Sequence, residues 1–131
     1  MKKQINLSWK ASRNRKKQKK YLLNAPIHIR HKIISCHLSK ELRGKYKRRA
    51  IPLRKNDVVK IMKGEFDKKQ GKVVKIDAKN YKIFVDGIQR TKKDGTKINV
   101  PIHSSNLQIV TLDLEDKKRN EKLNMKIAKE K

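Results

Sequence analysis

The sequence is short of the residues that build covalent cross-links and large cores. Cys36 is its only cysteine, which excludes a disulfide within the chain and favours a reducing compartment. Only 5% of the residues are aromatic, so the core is expected to be small and aliphatic. No apolar run is as long as a secretory signal or a membrane span, so we expect a cytoplasmic protein with no membrane partner.

Acidic residues are also scarce. The chain has 12 Asp and Glu against 38 Lys and Arg, a formal net charge of +26, and residues 1–55 hold 19 of these cations with a single Glu. A chain this basic repels itself unless a polyanion neutralises it, and nucleic acid is the first candidate. An anionic membrane is disfavoured because the first 20 residues lack the wide apolar face of an interfacial helix.

Patterns typical of catalysis and metal binding are missing as well. The carboxylates are scattered among lysines, and neither a catalytic triad nor a phosphate-binding P-loop is present, so we predict no enzyme activity and no cofactor. The spacing of His28, His31, Cys36 and His37 differs from the paired thiolates of structural zinc sites. We therefore predict no metal site and expect two helix-borne imidazoles that face RNA.

Residues 57–77 contain two strand-like runs joined by a short basic connection. Val59, Ile61, Val74 and Ile76 alternate with polar residues, which predicts one face in a core and the other in solvent. The connection carries cationic side chains between two glycines. A bend there would hold positive charge at the end of two paired strands.

This stretch resembles the KOW motif, a basic hairpin of small SH3-like barrels that bind RNA. The resemblance rests on Asp57-Val58-Val59, on Lys63-Gly64 and above all on Gly71-Lys72-Val73, where the glycine allows close backbone approach. Lys68 stands where many members of the family have a second glycine. Because a non-glycine residue at positive φ costs on the order of 1 kcal/mol, we expect the hairpin tip to bend differently here.

Three further strands are predicted after this hairpin. Tyr81, Ile83 and Val85 alternate with polar or outward positions, Gly87 breaks or bulges the run, and Asp94-Gly95 marks the next hairpin turn. A last strand covers residues 107–112. The fold class is therefore mainly β: a small SH3-like (KOW) barrel over residues 51–112, with a basic N-terminal extension (1–50) that contains short helices and a C-terminal helical tail (113–131).

The N-terminal extension combines cation clusters with short helices. Residues 1–23 have no sustained period, which predicts a segment that is disordered until phosphates bind it. Short helices are predicted after Asn24, with Pro26 near the start, and after Ser39 as N-cap, before Gly44 weakens the second one. Two roles are open to Trp9: packing into a protein groove, or stacking on a base or ribose of RNA.

The C-terminal residues 113–131 are good helix formers without Gly or Pro. The i,i+4 spacing predicts two ion pairs, Glu115–Arg119 and Lys126–Glu130, and acidic residues precede the helix where its dipole favours them. Leu123 and Ile127 make a stripe too narrow to bury alone. We therefore expect a helix that leaves the RNA and contacts protein or solvent.

The segments around the hairpin make the resemblance specific. NAPIHIRHKIIS, LSKELRGKY, IPLRKNDVVKI, DGT, PIHSSN and LDLEDKKR stand in the order seen in the universal large-subunit ribosomal protein family that carries the KOW motif, in its archaeal and eukaryotic form. The resemblance implies a structural constituent of the large ribosomal subunit that binds large-subunit rRNA, assists early assembly and lies near the peptide tunnel exit. It also implies neighbouring ribosomal proteins as partners, the nascent chain or tunnel-exit factors as further ones, and no homo-oligomer.

Cations, and polar side chains that can donate to phosphate or ribose groups, are the candidate contacts. The candidate RNA-binding residues are Trp9, Arg13, Arg15, Lys16, Lys17, Lys19, Lys20, His28, Arg30, His31, Lys32, Arg43, Lys47, Arg48, Arg49, Arg54, Lys55, Lys63, Lys68, Lys69, Lys72, Arg90, Lys92, Lys93, His103, Ser105 and Asn106. The loop of residues 101–106 has a second interpretation, as a turn that caps the open end of the barrel.

Two other functions account for parts of the sequence. A transcription-elongation KOW adaptor would be linked to a second domain with a more acidic balance, which this sequence lacks. A free RNA chaperone fits the charge but leaves the ordered flanking segments unexplained.

Overall fold

A bent β-sheet forms the centre of the molecule. The computed structural model describes Trp9 and residues 11–129. The strands within this part are β1 (Ser35–Leu38), β2 (Ala50–Pro52), β3 (Val58–Ile61), β4 (Gln70–Asp77), β5 (Lys82–Thr91), β6 (Lys97–Ile102) and β7 (Leu107–Thr111). The helices are α1 (Arg15–Asn24), α2 (Ile27–Ile33), α3 (Lys40–Tyr46), a 3-10 turn at Ser104–Asn106, and α4 (Lys117–Lys129).

The strands are ordered β2-β1-β7-β3-β4-β5-β6 across the sheet. Neighbouring strands are antiparallel, except that β1 pairs parallel with β7. The buried aliphatic side chains form one cluster enclosed by the bent sheet. This architecture is mainly β and consistent with a small SH3-like barrel, and the five predicted strands correspond to β3–β7, so the fold-class prediction is confirmed.

The side-chain alternation was predicted correctly for β3 and wrongly for β4. Val59 and Ile61 are buried as expected, but Val74 is 51% exposed and its neighbour Val73 only 1%. The register against β5 shifts between Val73 and Lys75, so a β-bulge inserts one residue and reverses the alternation. Ile76, beyond the bulge, packs partly buried against the core.

The remaining barrel strands follow the sequence prediction. Ile83 and Val85 are buried on β5. The pairing of β5 with β6 is irregular between Phe84 and Gln89, where Gly87 has φ 73°, so the predicted break is confirmed. The Asp94-Gly95 turn is also confirmed: the Gly95 N–H donates to the Lys92 carbonyl at 3.0 Å.

Strand β1 lies in a region for which the sequence predicted only helices. It pairs with β2 on one side and β7 on the other, and Cys36 and Leu38 point into the core. A strand of four residues gives only two apolar positions, too few for a period of two to be recognised. Burial, and secondarily the charge of Asp57, raises the pKa of the Cys36 thiol to about 12.

The predicted lack of regular structure in residues 1–23 is wrong for α1. The side chain of Asn14 caps this helix by accepting from the Lys16 N–H at 2.9 Å. No residue of α1 is buried, so the helix has good formers and a cap but no apolar face to reveal its period. Residues 1–8 and 10 lie outside the described residues.

The two predicted short helices are confirmed as α2 and α3. Pro26 directly precedes α2. Ser39 is the N-cap of α3 and accepts from the Leu42 N–H at 3.3 Å. The helix continues through Gly44 to Tyr46, which is buried in the core.

The C-terminal helix is confirmed, but the predicted Glu115–Arg119 pair is wrong. Helix α4 begins after Asp116, whose side chain accepts from the Lys118 N–H at 2.9 Å, so Glu115 lies outside it. Arg119 turns inward to Asp57 instead of pairing with Glu115. Leu123 is 2% exposed, and α4 packs against α3 of the same chain. That the helix leaves the RNA stays a prediction.

The predicted Lys126–Glu130 pair falls on side chains outside the described ones. In the part of the chain that the structure describes, no helix is both long and apolar enough to cross a membrane.

Candidate nucleic-acid interface

The tip of the β3–β4 hairpin closes through backbone hydrogen bonds around a left-handed residue. Lys68 has φ 66° and Gly64 has φ 108°. The Lys68 N–H donates to the Ile61 carbonyl at 3.0 Å. Lys68 therefore adopts the left-handed conformation that glycine favours, although this conformation costs a non-glycine residue on the order of 1 kcal/mol.

Exposed lysines crowd this tip. Lys63, Lys68 and Lys69 all face solvent. The Lys69 ammonium lies 5.2 Å from the centroid of the Phe66 ring, and Phe66 packs against the core. The aromatic ring thus anchors a loop whose outer surface is cationic.

Gly71 brings β4 close to β5, as the KOW resemblance implied. A Cβ at this position would lie 2.5 Å from the Asp86 carbonyl oxygen and 2.7 Å from Cγ1 of Val85. Only glycine permits this approach. The adjacent Lys72 is exposed on β4.

Two other loops meet the hairpin tip. Arg90, near the end of β5, forms an ion pair with Glu65 of the tip. The Met62 N–H donates to the Asn106 carbonyl at 2.8 Å. Residues 62–69, 90–96 and 103–106 therefore form one surface, which we call the hairpin end. Within this surface, Lys92 and Lys93 contribute two more exposed cations.

The loop before β7 has one buried residue and two exposed polar residues, and its role in RNA binding stays a prediction. Ser104 is buried over the barrel, while His103 and Ser105 are exposed. The His103 Nδ1 accepts from the Ser105 N–H at 3.3 Å, and it lies 3.0 Å from the Ser105 hydroxyl. The turn covers the barrel and holds two polar side chains outward.

Helix α1 presents a separate set of cations. The exposed members on or before α1 are Arg13, Arg15, Lys16, Lys17, Lys19 and Lys20. The helix is tied to the barrel at its end, where the Tyr81 hydroxyl donates to the Leu22 carbonyl at 2.8 Å. Trp9 stacks on Tyr21, with ring centroids 4.1 Å apart and planes 17° apart, so its ring is engaged within the chain.

Several predicted contact residues are engaged in structural hydrogen bonds. Arg30 donates to the Ala25 carbonyl at 2.7 Å and to the Leu23 carbonyl at 2.8 Å, and it lies over the Tyr81 ring. Arg43 and Arg48 likewise donate to the carbonyls of Leu38 and Lys122. Their role in RNA binding stays a prediction. Lys32, Lys47 and Arg49 are exposed or only partly covered.

A third group of candidate RNA-binding residues lies at the end of β3 that is remote from the hairpin tip. His28 and His31 of α2 line a groove together with Arg54 and Lys55, which precede β3. Arg54 forms an ion pair with Asp116, and its guanidinium holds the pKa of that carboxyl below the ordinary value.

The buried Asp57, which was not among the predicted site residues, joins three segments. Its carboxylate accepts from the backbone N–H groups of Arg54 and Asp113, each at 2.9 Å. Arg119 adds two bonds of 2.7 Å, Nη1 to Oδ1 and Nη2 to Oδ2. The available signal was the Lys55-Asn56 turn just before it, since Asp side chains often close such turns.

Metal ligands do not converge in residues 9 and 11–129. In that range no three or more His, Cys, Asp and Glu side chains stand close enough to hold an ion. Cys36 lies buried in the core, whereas His28 and His31 are exposed on α2.

Comparison with known proteins identifies the family. The family model for the eukaryotic L26 and archaeal L24 ribosomal proteins matches residues 12–126. The large ribosomal subunit protein uL24 of Methanosphaera stadtmanae is 45% identical over 116 residues, which cover 88% of this chain and 99% of the relative. The uL24 protein of Korarchaeum cryptofilum is 50% identical over 113 residues, 86% of each chain. The chain therefore belongs to this archaeal and eukaryotic family of large-subunit ribosomal proteins.

Proposed function

We propose that the protein binds large-subunit rRNA through its hairpin end, as a structural constituent of the large ribosomal subunit. Its family is ribosomal and cytoplasmic, and structural in role, not catalytic. The observation that carries the proposal is the convergence of three loops on one cationic surface, joined by the Arg90–Glu65 pair and the Met62–Asn106 hydrogen bond.

Phosphate neutralisation is the physical basis of this binding. Each Lys or Arg that contacts a phosphate releases condensed counter-ions, and close-packed RNA segments repel each other less once those phosphates are neutralised. Such contacts position the protein without reading sequence. The barrel core holds the exposed lysines in fixed relative positions, so the surface needs little ordering when RNA binds.

Helix α1 supplies a second contact. Its cations are exposed and none of its residues is buried, so the helix can lie on a neighbouring RNA segment without disturbing the core. Its attachment through Tyr81 and Arg30 fixes only one end.

The proposal extends to a role in early assembly and a place near the tunnel exit, both of which the family resemblance implies. Charge supports the assembly role, because a net charge of +26 neutralises RNA segments that must approach each other as the subunit compacts. Leu23 and Ile27 are 74% and 68% exposed, and these apolar side chains offer a contact for a neighbouring ribosomal protein. The nascent chain or tunnel-exit factors are further candidate partners.

A binding comparison tests the proposal. The full chain should bind a transcript of the 5′ portion of large-subunit rRNA more tightly than tRNA at the same salt concentration, because its cations are arranged for one folded RNA. Equal affinity for the two RNAs would contradict the proposal and favour a free RNA chaperone.

A further inference from the structure

A groove lies at the end of β3 remote from the hairpin tip. Its volume is about 650 Å³, within the range of roughly 300–1,000 Å³ typical of ligand sites. The groove residues Arg54 and Lys55 precede Val58, whereas the tip follows Ile61. Because four extended residues span about 13 Å, the groove and the hairpin tip are open to different segments of a partner.

The lining of the groove combines an apolar floor with a cationic rim. Pro52, Leu53 and Ile76 form the floor. The rim consists of His28, His31, Arg54 and Lys55, and among the described residues that line the groove none is a carboxylate. Arg54 is paired with Asp116 outside this lining, so Lys55 is the unpaired cation of the rim among the described residues. A nucleotide has the matching chemistry, since its base packs on apolar surface while its phosphate meets cations.

A smaller pocket adjoins the groove across Pro52 and Arg54, which line both. Its volume is about 190 Å³, and Arg48 and Lys122 add two more cations, whereas the charge of Arg119, which also lines the pocket, is compensated by Asp57. This volume is below the range of roughly 300–1,000 Å³ for whole ligands, so the pocket suits a small anion such as a phosphate group.

Two buried donors at this pocket have unmet hydrogen bonds. The Nε atoms of Arg48 and Arg119 have no acceptor within the described part of the chain, and Arg119 is only 6% exposed. A buried donor without an acceptor is unfavourable. Because both Nε atoms are also closed to solvent, a phosphate in the pocket would contact the exposed cations Lys122 and Arg54 instead.

We propose that this surface binds a single-stranded segment of RNA, with one unstacked base in the groove and a backbone phosphate in the adjoining pocket. The inference rests on the proposed rRNA binding and adds a second RNA segment to it. With the hairpin end, it makes the protein a bridge between RNA segments at the two ends of β3.

The apolar floor favours a single strand over other polyanions. In a duplex the bases are stacked and paired, so only phosphates and ribose would reach the rim and the floor would stay uncovered. An acidic protein segment would satisfy the rim, but a carboxylate side chain has no planar group to cover the floor. An unpaired nucleotide satisfies both parts.

The test measures whether the bases matter. The probes are a single-stranded RNA of about 10 nucleotides, within the usual footprint of such sites, and the same backbone without bases. Fluorescence anisotropy gives the affinity of the full chain for each probe at one salt concentration. We expect the probe with bases to bind at least about fivefold more tightly, the low end of one stacking contact.

Two variants assign the preference to the groove. His31→Ala with Lys55→Ala removes two exposed rim residues and no core contact. Lys40→Ala alone is the charge-matched control: it removes one formal charge, as the groove variant does because histidine is neutral at pH 7, and Lys40 is exposed and lies outside the groove and the hairpin end. The groove variant should lose the preference for bases and bind the oligonucleotide about fivefold more weakly, whereas the control should keep the preference.

Several outcomes would overturn the inference. Equal binding of the two probes by the unmodified protein, or equal losses in both variants, would mean that the surface acts through charge alone. If the groove variant instead lost affinity for a polyglutamate peptide and kept its affinity for RNA, the occupant would be an acidic protein segment. These results leave binding of the rRNA transcript intact, whereas failure to bind that transcript would overturn the proposed function itself.

Discussion

Gly71 sits where β4 and β5 come closest, and it has no room for a methyl group. The Asp86 carbonyl oxygen and the Val85 side chain occupy the space that a Cβ would need. Both belong to β5, which pairs with β4 at Val85 and whose Val85 side chain is buried in the core. The residue therefore sets the distance between β4, which is one strand of the basic hairpin, and β5.

Gly71→Ala should destabilise the fold by about 1–3 kcal/mol, the usual range for overpacking, because β5 must move. Gly44→Ala is the control: nothing lies within 4 Å of a Cβ on Gly44, and alanine favours its helix by about 0.5–1 kcal/mol. Urea denaturation followed by circular dichroism measures both. Equal stability of the Gly71→Ala variant and the unmodified protein would contradict the assigned role.

Asp57 and Arg119 form a buried ion pair whose two charges depend on each other. Asp57 is 0% exposed and Arg119 6%, and the two side chains meet through paired hydrogen bonds. Removing one partner would leave the other charge in the core without compensation. The pair also fixes α4 against the start of β3.

Arg119→Ala should lower the free energy of unfolding by about 3–5 kcal/mol, because the Asp57 carboxylate stays buried and unpaired. Arg54→Ala, which breaks the exposed pair with Asp116, should cost only about 0–1 kcal/mol. Thermal unfolding compares the two. A smaller loss for Arg119→Ala than for Arg54→Ala would show that Asp57 is held by other contacts.

Cys36 is protected from chemistry by its burial. Its pKa rises from 9.0 to about 12, chiefly through burial and secondarily through Asp57. The unfolded thiol ionises first as the pH rises, so Cys36 contributes stability below pH 9.0 that is lost between 9.0 and about 12.

The reactivity of Cys36 towards iodoacetamide tests its burial. At about pH 8.5, close to the typical pKa of a free thiol, the reagent should label the folded chain slowly and the urea-unfolded chain at an ordinary rate. Rapid labelling without urea would contradict this.

At the scale of elements, the barrel depends on segments from outside residues 51–112. Strand β1 supplies Cys36 and Leu38 to the core, α3 supplies Tyr46, and α4 supplies Leu123. Helix α1 supplies no buried residue. The two terminal helices therefore differ: α4 belongs to the hydrophobic core, and α1 is held by polar contacts.

Removing residues 1–23 should leave the barrel folded and weaken rRNA binding, because the deletion takes cations but no core side chain. Removing residues 1–50 should destabilise the barrel strongly, since each lost core side chain is worth about 1.5–3 kcal/mol. Circular dichroism and thermal unfolding distinguish the two deletions. Loss of the β signal in the shorter deletion would show that α1 supports the core.

The sequence predicted those elements whose periodicity or turn chemistry is local. The alternation of Ile83 and Val85 and the Asp94-Gly95 turn were sufficient for β5 and β6. Val74 was placed on the wrong face because a bulge depends on how the partner strand pairs, which a single strand does not encode. Arg119 was assigned to a local pair because its partner, Asp57, is distant in sequence.

The candidate site was predictable in composition and not in arrangement. The basic hairpin could be found from its glycines and lysines. Its union with residues 90–96 and 103–106 depends on contacts such as Arg90 with Glu65, between strands far apart in the chain. The groove beside Arg54 likewise requires α2 to fold over the β2–β3 connection.

At the scale of the whole molecule, charge is arranged around a small core. The hairpin end lies at one end of β3, whereas the groove and the attached end of α1 lie towards the other, so the molecule can neutralise phosphates at both ends. Such binding should weaken steeply as salt rises, with a slope that counts the phosphate contacts. The slope of affinity against salt concentration therefore measures how much of the cationic surface contacts RNA.

Replacing Lys68, Lys69 and Lys72 with alanine should weaken binding to the rRNA transcript and flatten its salt slope by up to about 3. Replacing Lys40, Lys75 and Lys82, exposed lysines outside the hairpin end, removes the same charge and should change the slope less. A filter-binding titration over salt concentration gives both slopes. Identical slopes for the two variants would mean that Lys68, Lys69 and Lys72 have no special share in binding.

Sedimentation of a cell extract in high salt tests the central claim most directly. The protein is followed across the gradient by mass spectrometry. A stoichiometric constituent held by many phosphate contacts and a fixed site should stay with the large subunit through the high-salt wash. Release to the top of the gradient, or migration with RNA polymerase, would contradict the assignment to the large subunit.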